Sequence, residues 1–275
     1  MCIRDRVKAV DVYLANDMLQ IKVMKLCKKS KEFQQKSNEA YQMAEQILRD
    51  IVDYPDDTAL GTYSIKKINE SFAISGRLDA EYYQPKYDIL FDELKKFSCK
   101  RLGGPNGIVN IKKSIEPGSE AYTEDGIPFV RVSDISKFGI SEPDIKLRSD
   151  IIPNPEVLFP PKDTILLSKD GSVGIAYKVE ATMPIITSGA LLHLTVRDKT
   201  EVLPDYLTLV LNSPVVQLQA ERDSNGAIIQ HWKPSEIENV IIPILDMDTQ
   251  KEIAAKVQEA FTLRKQSKQL LEYAK

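Results

Sequence analysis

The C-terminal stretch reads, from Asn225 to Lys275, NGAIIQHWKPSEIENVIIPILDMDTQKEIAAKVQEAFTLRKQSKQLLEYAK. A polar, turn-rich segment leads into an apolar strand, Val240 to Leu245, and a long helix follows an Asp-containing break. The seam positions of this helix alternate at spacings of about four and three residues, which is the period of a two-helix coiled coil. They are Ile253, Val257, Ala260, Arg264, Ser267, Leu271 and Ala274. The pattern predicts a helix that pairs lengthwise with a second helix.

A second helix with the same spacing is predicted near the start of the chain, from about Gln20 to Val52. It ends before Pro55, because proline cannot continue a helix. Its seam positions are Val23, Cys27, Ser30, Gln34, Ser37, Tyr41, Ala44, Leu48 and Ile51. The repeated pattern places one compact domain between two related helices, which indicates a spacer-and-reader protein more than an enzyme.

The middle of the chain carries clustered strand signals. Short β-rich runs separated by Gly, Pro and Asp are Ile127–Val132, Thr164–Leu167, Val173–Val179 and Ala190–Val196, and helical runs are Glu81–Phe97, Pro204–Leu211, Val215–Glu221 and Ser235–Asn239. Because the strands cluster, the sequence predicts an α+β domain rather than a doubly wound sheet. The predicted limits are residues 1–57 for the N-terminal segment and first helix, 58–247 for the globular domain, and 248–275 for the second helix.

Composition and charge restrict the function classes. The 275 residues are 43% hydrophobic and 28% charged, which is ordinary for a soluble globular protein. The sequence has neither a long apolar run nor a signal peptide, and its three cysteines are scattered, so a reducing cytoplasm is the predicted compartment. The net charge of −3 does not favour bulk attraction to nucleic acid. DNA binding would therefore require a local basic surface or a basic partner.

Several segments together resemble the specificity (S) subunit of type I restriction–modification systems. In family order they are RLDAEYY at 77–83, GIPFVRVSDI at 126–135, DTILLSKDGSVG at 163–174, PDYL at 204–207, LNS at 211–213, NGA at 225–227, and IPIL at 242–245 before the helix of Gln250. The resemblance covers about residues 75–275. Each segment alone is weakly specific, and their order carries the resemblance.

The resemblance implies a non-catalytic subunit that reads double-stranded DNA. Two conserved helices would pair as an antiparallel coiled coil, hold two recognition domains apart, and dock methyltransferase (M) subunits, which bring S-adenosylmethionine, and a restriction/translocation (R) subunit. The helix-pairing residues would be Val23, Cys27, Tyr41, Ala44, Leu48, Ile253, Val257, Ala260, Leu271 and Ala274. With one recognition domain, the chain is expected to be either the C-terminal half of a longer subunit or a half-subunit that forms a self-dimer. Residues 1–20 match no complete element, and we expect a truncated or artificially begun N-terminus.

The candidate DNA contacts lie in three polar segments. They are Arg131, Ser133, Asp134, Lys169, Ser172, Asn225, Gln230, His231, Trp232 and Lys233. Arginine can pair with guanine, amides with adenine, and lysine with phosphate. Each segment has a simpler interpretation, namely a local Arg131–Asp134 pair, a plain hairpin turn after Thr164–Leu167, and packing of Trp232 in the core.

Catalytic and metal sites are not predicted. Phe159-Pro-Pro-Lys162 lacks the polar and aromatic ends of an amino-methyltransferase loop, and the sequence contains no P-loop. His193 and His231, the two histidines, lie too far apart in sequence to indicate zinc. The alternative function is a non-enzymatic coiled-coil scaffold whose central domain binds protein, and a stand-alone enzyme is disfavoured.

Overall fold

The computed structural model describes residues 16–54, 63–224 and 230–274, and it places long helices at both ends of a strand-rich middle. The α-helices are α1 (Asp17–Ile51), α2 (Phe72–Ser75), α3 (Pro85–Leu94), α4 (Pro204–Asn212), α5 (Pro214–Asp223), α6 (Pro234–Glu238) and α7 (Met247–Ala274). The strands are β1 (Cys99–Arg101), β2 (Val109–Lys113), β3 (Tyr122–Thr123), β4 (Ile127–Val130), β5 (Ile135–Ser136), β6 (Gly139–Ile140), β7 (Lys146–Leu147), β8 (Ile165–Ser168), β9 (Ala176–Lys178), β10 (Ile186–Thr187), β11 (Leu191–Val196) and β12 (Ile241–Pro243). The predicted α+β class, with clustered strands and a long helix on each side, is confirmed.

The strands form sheets with mostly antiparallel pairing. In the described residues, the two four-stranded sheets have the orders β10-β4-β7-β3 and β2-β11-β8-β9, and β1-β12 and β5-β6 form two-stranded ribbons. The β4–β10 pair is parallel. Every residue of β8 is buried, which explains its continuous apolar run, because a strand covered on both faces has no polar side. None of the helices in the described part of the chain has the length and hydropathy that a membrane crossing requires.

The chain divides into two compact units, and both boundaries fall inside the long helices. One unit comprises residues 16–41 and 259–274 of the described chain, and the other comprises residues 42–258. The predicted domain limits, which follow the helix ends, stay a prediction, and the limit at residue 57 lies outside the described residues. Ala44, Leu48, Ile253 and Val257 are buried in the larger unit, so the inner ends of both helices belong to its hydrophobic core.

In the smaller unit, α1 and α7 pair in antiparallel orientation. The Ser30 and Ser267 hydroxyls lie 2.8 Å apart, and one heptad farther along α1 the Ser37 hydroxyl donates to the Ala260 carbonyl at 2.7 Å. A side-chain hydroxyl can reach the backbone of the facing helix only when the two backbones lie close together, and small seam residues permit this. Arg264 Nε donates to Ser37 Oγ at 3.3 Å. The seam is therefore polar as well as small, and its hydrogen bonds define the register.

The predicted seam needs correction at two of the helix-pairing residues. Cys27 is exposed, and Leu26 is half-buried in its place. Leu271 is 44% exposed, whereas Leu270 is half-buried. The physical reason is that a seam spaced by three and four residues can include either of two neighbouring positions. At positions 26 and 27, the arrangement that buries Leu26, the larger apolar side chain, is favoured over the one that buries Cys27. Val23 and Ala274 are half-buried, and Tyr41, Ala44, Leu48, Ile253, Val257 and Ala260 are buried. Helix pairing by these eight residues stays a prediction.

Buried amide side chains connect α5 and α7 to other segments of the larger unit. Gln250 accepts from the Leu203 amide at 2.9 Å and donates to the Glu201 and Leu245 carbonyls. Gln219 accepts from the Ile241 amide at 2.8 Å and donates to the Ile241 carbonyl at 2.9 Å. A carboxamide can donate and accept at once, so one side chain satisfies backbone groups of both kinds. These contacts attach α5 and α7 to the sheet region.

Candidate nucleic-acid interface

The first predicted segment is a tightly bonded turn between β8 and β9. Ser168 is buried, and its hydroxyl donates to the Ser172 carbonyl and accepts from the Ile175 amide at 2.8 Å. Gly174 has φ +87°, a left-handed conformation that favours glycine, and a Cβ there would require the Gln217 side-chain amide, 2.7 Å away, to shift. This bonding delays the start of β9 to Ala176, three residues later than predicted. The turn displays Ser172 on its exposed surface.

The segment 230–233 attaches directly to this turn. The Gly171 amide donates to the Gln230 carbonyl at 2.9 Å, and the Trp232 amide donates to the Lys169 carbonyl at 2.8 Å. Between these bonds, His231 Nδ1 lies 2.9 Å from Asp170 Oδ1. Two loops that are distant in sequence therefore form one continuous surface. Asn225, also predicted to contact DNA, lies outside the described residues.

Trp232 belongs to the hydrophobic core and not to this surface. Its side chain is 1% exposed, whereas Gln230 and His231 before it and Lys233 after it are exposed. From His231 to Lys233 the side chains alternate between exposed and buried, as expected for extended backbone, in which successive side chains point to opposite faces. This corrects the prediction that Trp232 contacts DNA, and its role is to anchor the segment that carries its neighbours.

The third segment contains Arg131, Ser133 and Asp134, which form a capped turn after β4. The Arg131 amide donates to Asp134 Oδ2 at 2.8 Å, and the Ser133 hydroxyl donates to Asp134 Oδ1 at 3.1 Å. This cap ends the strand at Val130, two residues earlier than predicted. Asp134 is buried, so its prediction as a DNA contact is corrected to a structural role. The Arg131 side chain remains 41% exposed, with Nε 3.8 Å from the carboxylate.

The residues 188–190 bring the third segment beside the other two. The Ser188 amide donates to the Val130 carbonyl, next to Arg131, and the Lys169 amide donates to the Ala190 carbonyl, both at 2.9 Å. The three predicted segments therefore converge around residues 188–190. Sequence reasoning did not select residues 188–190 or Asp170. The signal for Asp170 was its place in the turn 168–172, but its partner His231 is brought to it only by folding.

The electrostatics of this surface are balanced locally. Arg131 lies near Asp134, and the Lys169 ammonium contacts Asp170. Lys233 Nζ lies 3.4 Å from Glu236 Oε1. Burial acts to raise the pKa of Asp170, but hydrogen bonds from Lys169 and His231 outweigh it and hold that pKa below its usual range. Each basic side chain therefore has an acidic neighbour, and the surface has little excess positive charge.

Comparison with known proteins gives the family. Residues 101–273 match the model of the type I restriction modification DNA specificity domain. The chain belongs to this family. The resemblance inferred from the sequence motifs is thereby confirmed, and it is a family defined by DNA specificity. Within the described residues, no group of His, Cys, Asp and Glu side chains is arranged to hold a metal ion.

A comparison with solved structures gave three matches from type I systems. A chain from a study of complex assembly and conformational transition of the type I R-M system is 17% identical, covers 93% of this chain and 55% of its own, with a TM-score of 0.47. The S subunit from M. genitalium is 17% identical, and the match covers 59% of this chain and 38% of that subunit with a TM-score of 0.44. The HsdS subunit from Thermoanaerobacter tengcongensis is 16% identical, with coverages of 94% and 52% and a TM-score of 0.46.

The specificity-domain chain thus spans about half the length of the first and third of these structures. A comparison with curated proteins gave no match.

Proposed function

We propose that this chain is a DNA sequence-specificity subunit, non-catalytic in itself, that reads one half of a bipartite site in double-stranded DNA. The observation that carries the proposal is the convergence of Arg131, Lys169 and the 230–233 segment around residues 188–190. The exposed members offer the chemistry of base and phosphate contact, since guanidinium, amide, imidazole and ammonium groups lie together. Family membership supports DNA as the ligand.

Partner subunits would supply the chemistry. The proposed complex contains methyltransferase subunits, which bind S-adenosylmethionine, and a restriction/translocation subunit. The paired helices α1 and α7 are one candidate docking element. A second is the apolar segment 63–78, whose exposed side chains are Tyr63, Ile65, Ile68, Phe72, Ile74 and Leu78. Large exposed apolar patches are typical of protein–protein contacts, so this segment supports the presence of a partner.

The other half of the bipartite site requires a second reader. A second recognition domain would give an asymmetric site, whereas a symmetric self-dimer would give an inverted repeat, because two-fold symmetry in the protein is mirrored in its DNA site. The methylated motif therefore reports the arrangement directly.

The test is single-molecule methylation sequencing of DNA after co-expression of the chain with its cognate methyltransferase subunit. A split methylated motif is expected, and Arg131→Ala or Lys233→Ala should relax the motif or weaken methylation. Lys95→Ala is the matched control for Lys233→Ala, because Lys95 is 76% exposed and Lys233 64% exposed, and each pairs with a carboxylate three residues away. Lys95 lies outside the three segments and should leave the motif unchanged.

Two results would contradict the proposal. The first is a motif that stays the same in every variant of the three segments. The second is a stable complex with the partner that shows no salt-dependent affinity for DNA, since phosphate contacts always make binding salt-dependent. That second result would favour the protein-binding scaffold.

A further inference from the structure

The Asp170–His231 pair lies on the surface where the two loops join. The His231 side chain is 62% exposed, whereas the Asp170 side chain is 25% exposed and the Lys169 side chain 13% exposed. The carboxylate of Asp170 uses Oδ1 for His231 and Oδ2 for the Lys169 ammonium. The largely buried ammonium of Lys169 therefore holds one oxygen of Asp170, and the other oxygen holds the exposed imidazole of His231.

The pair is not needed to hold the loops together. Two backbone hydrogen bonds, Gly171 to Gln230 and Trp232 to Lys169, flank it, and the Trp232 side chain is buried in the core next to it. An exposed side-chain contact adds little stability to such an arrangement, because solvent screens exposed ion pairs and ordering the side chains costs entropy. A role in orienting the imidazole accounts better for this geometry.

The contact determines the hydrogen-bonding character of the outer nitrogen. A carboxylate only accepts, so the proton in the 2.9 Å contact belongs to His231 Nδ1. In the neutral ring the second nitrogen, Nε2, then has no proton and is an acceptor. Within the described residues, Nε2 has no hydrogen-bond partner from the chain. An outward acceptor matches the exocyclic amino groups of adenine N6 and cytosine N4 in the major groove.

We propose that His231 reads a base with an exocyclic amino group, adenine or cytosine, at one position of the half-site, and that Asp170 is its positioning residue. This inference rests on the proposed function and adds a chemical class of base to it. Guanine O6 and N7 and thymine O4 are acceptors, so they repel an acceptor nitrogen. Loss of the imidazole should therefore relax specificity at a single base pair.

The experiment uses the co-purified complex of this chain and its methyltransferase subunit. A duplex library with a randomised half-site is methylated, and single-molecule sequencing gives the methylated fraction for each base at each position. His231→Ala should reduce discrimination at one position from about 10-fold or more to about 2-fold, because one base contact accounts for that range. Discrimination at the other positions should not change. Asp170→Ala should relax the same position, and Asp170→Glu should restore part of the preference.

Each alternative gives a different result, and each of them overturns the inference. If His231 has a purely structural role, His231→Ala lowers methylation of all sequences equally and leaves the motif unchanged. If His231 contacts phosphate through a protonated ring, His231→Ala also preserves the motif, but it reduces the salt dependence of binding. Unchanged methylation of a duplex whose adenine or cytosine at that position lacks its exocyclic amino group refutes acceptor readout. If the wild-type complex gives no motif, the proposed function fails first and this inference with it. Lys95→Ala is the control, and circular dichroism verifies that each variant folds.

Discussion

The buried ion pair between Lys178 and Asp205 allows a quantitative test of the fold that supports the interface. Lys178 is on β9, directly after the turn 168–175, and Asp205 is in the first turn of α4. Their side chains are 7% and 9% exposed, and Lys178 Nζ lies 2.9 Å from Asp205 Oδ1. We predict that Lys178→Met destabilises the protein strongly, because it leaves a buried carboxylate without its cation.

The two partners are expected to contribute unequally. Lys178 also lies 3.2 Å from Glu180 and 3.9 Å from Asp163, whereas Asp205 has the Gln258 amide at 2.9 Å as its other partner. Lys178→Met should therefore cost about 3 kcal/mol, at the lower end for breaking a buried pair. Asp205→Asn leaves the lysine with its other carboxylates and should cost about 1 kcal/mol. Burial acts to lower the pKa of Lys178, but Asp205 and Glu180 outweigh it and raise that pKa above its ordinary value.

Urea denaturation followed by circular dichroism at neutral pH measures these differences. The double variant Lys178→Met/Asp205→Leu should recover to within about 1 kcal/mol of wild type, because an apolar pair of similar volume replaces a buried ion pair at little cost. The reasoning is refuted if Lys178→Met costs less than Asp205→Asn, or if the double variant is as unstable as the single lysine variant.

Three further predictions concern the core, the seam and pH. Trp232→Ala should destabilise the protein by about 3–5 kcal/mol in urea denaturation, while Trp232→Phe should leave the methylated motif unchanged. Ser37→Leu should lower stability by about 1–3 kcal/mol by forcing α1 and α7 apart, whereas Cys27→Leu on the exposed face should change it by less than about 0.5 kcal/mol. Burial, with a smaller effect of Lys112, lowers the pKa of His193 to about 4. Since the unfolded chain has a histidine pKa of about 6.5, the contribution of His193 is present above that pH and is lost as the pH falls through the folded value. On acidification, the free energy of unfolding of His193→Gln should therefore fall by about 2–3 kcal/mol less than that of the wild type, as measured by denaturation curves at each pH.

The sequence was sufficient for features that depend on period and order. The long helices were predictable because the three–four alternation extends over many turns, and the α+β class because strand signals cluster between residues 108 and 194. The family was recognisable from short motifs in a fixed order. The sequence did not predict which residues occupy the seam, because Cys27 and Leu26 both fit an alternating pattern. The choice depends on the facing helix, which lies more than two hundred residues away in sequence.

The site was predictable only as separate segments. Turn-forming and polar residues marked 131–134, 168–172 and 230–233, but the division into exposed and buried side chains depends on tertiary contacts. Trp232 is buried because its backbone is held to Lys169, and Asp134 is buried because it caps the turn after β4. Asp170 looked like an ordinary turn residue until folding placed His231 beside it.

The local pairing of charges explains how a chain with a net charge of −3 is suited to selective DNA binding. Excess positive charge would attract any duplex, because contacts to phosphate carry no sequence information. At this surface, Lys233 and Lys169 already have carboxylate neighbours, so phosphate must compete with Glu236 and Asp170 for them. Under the proposed function, this competition would keep non-specific affinity low, and hydrogen bonds to base edges would make a larger share of the binding free energy. The same carboxylate that restrains Lys169 also orients His231, so in this proposal suppression of non-specific binding and recognition of a base depend on one residue, Asp170.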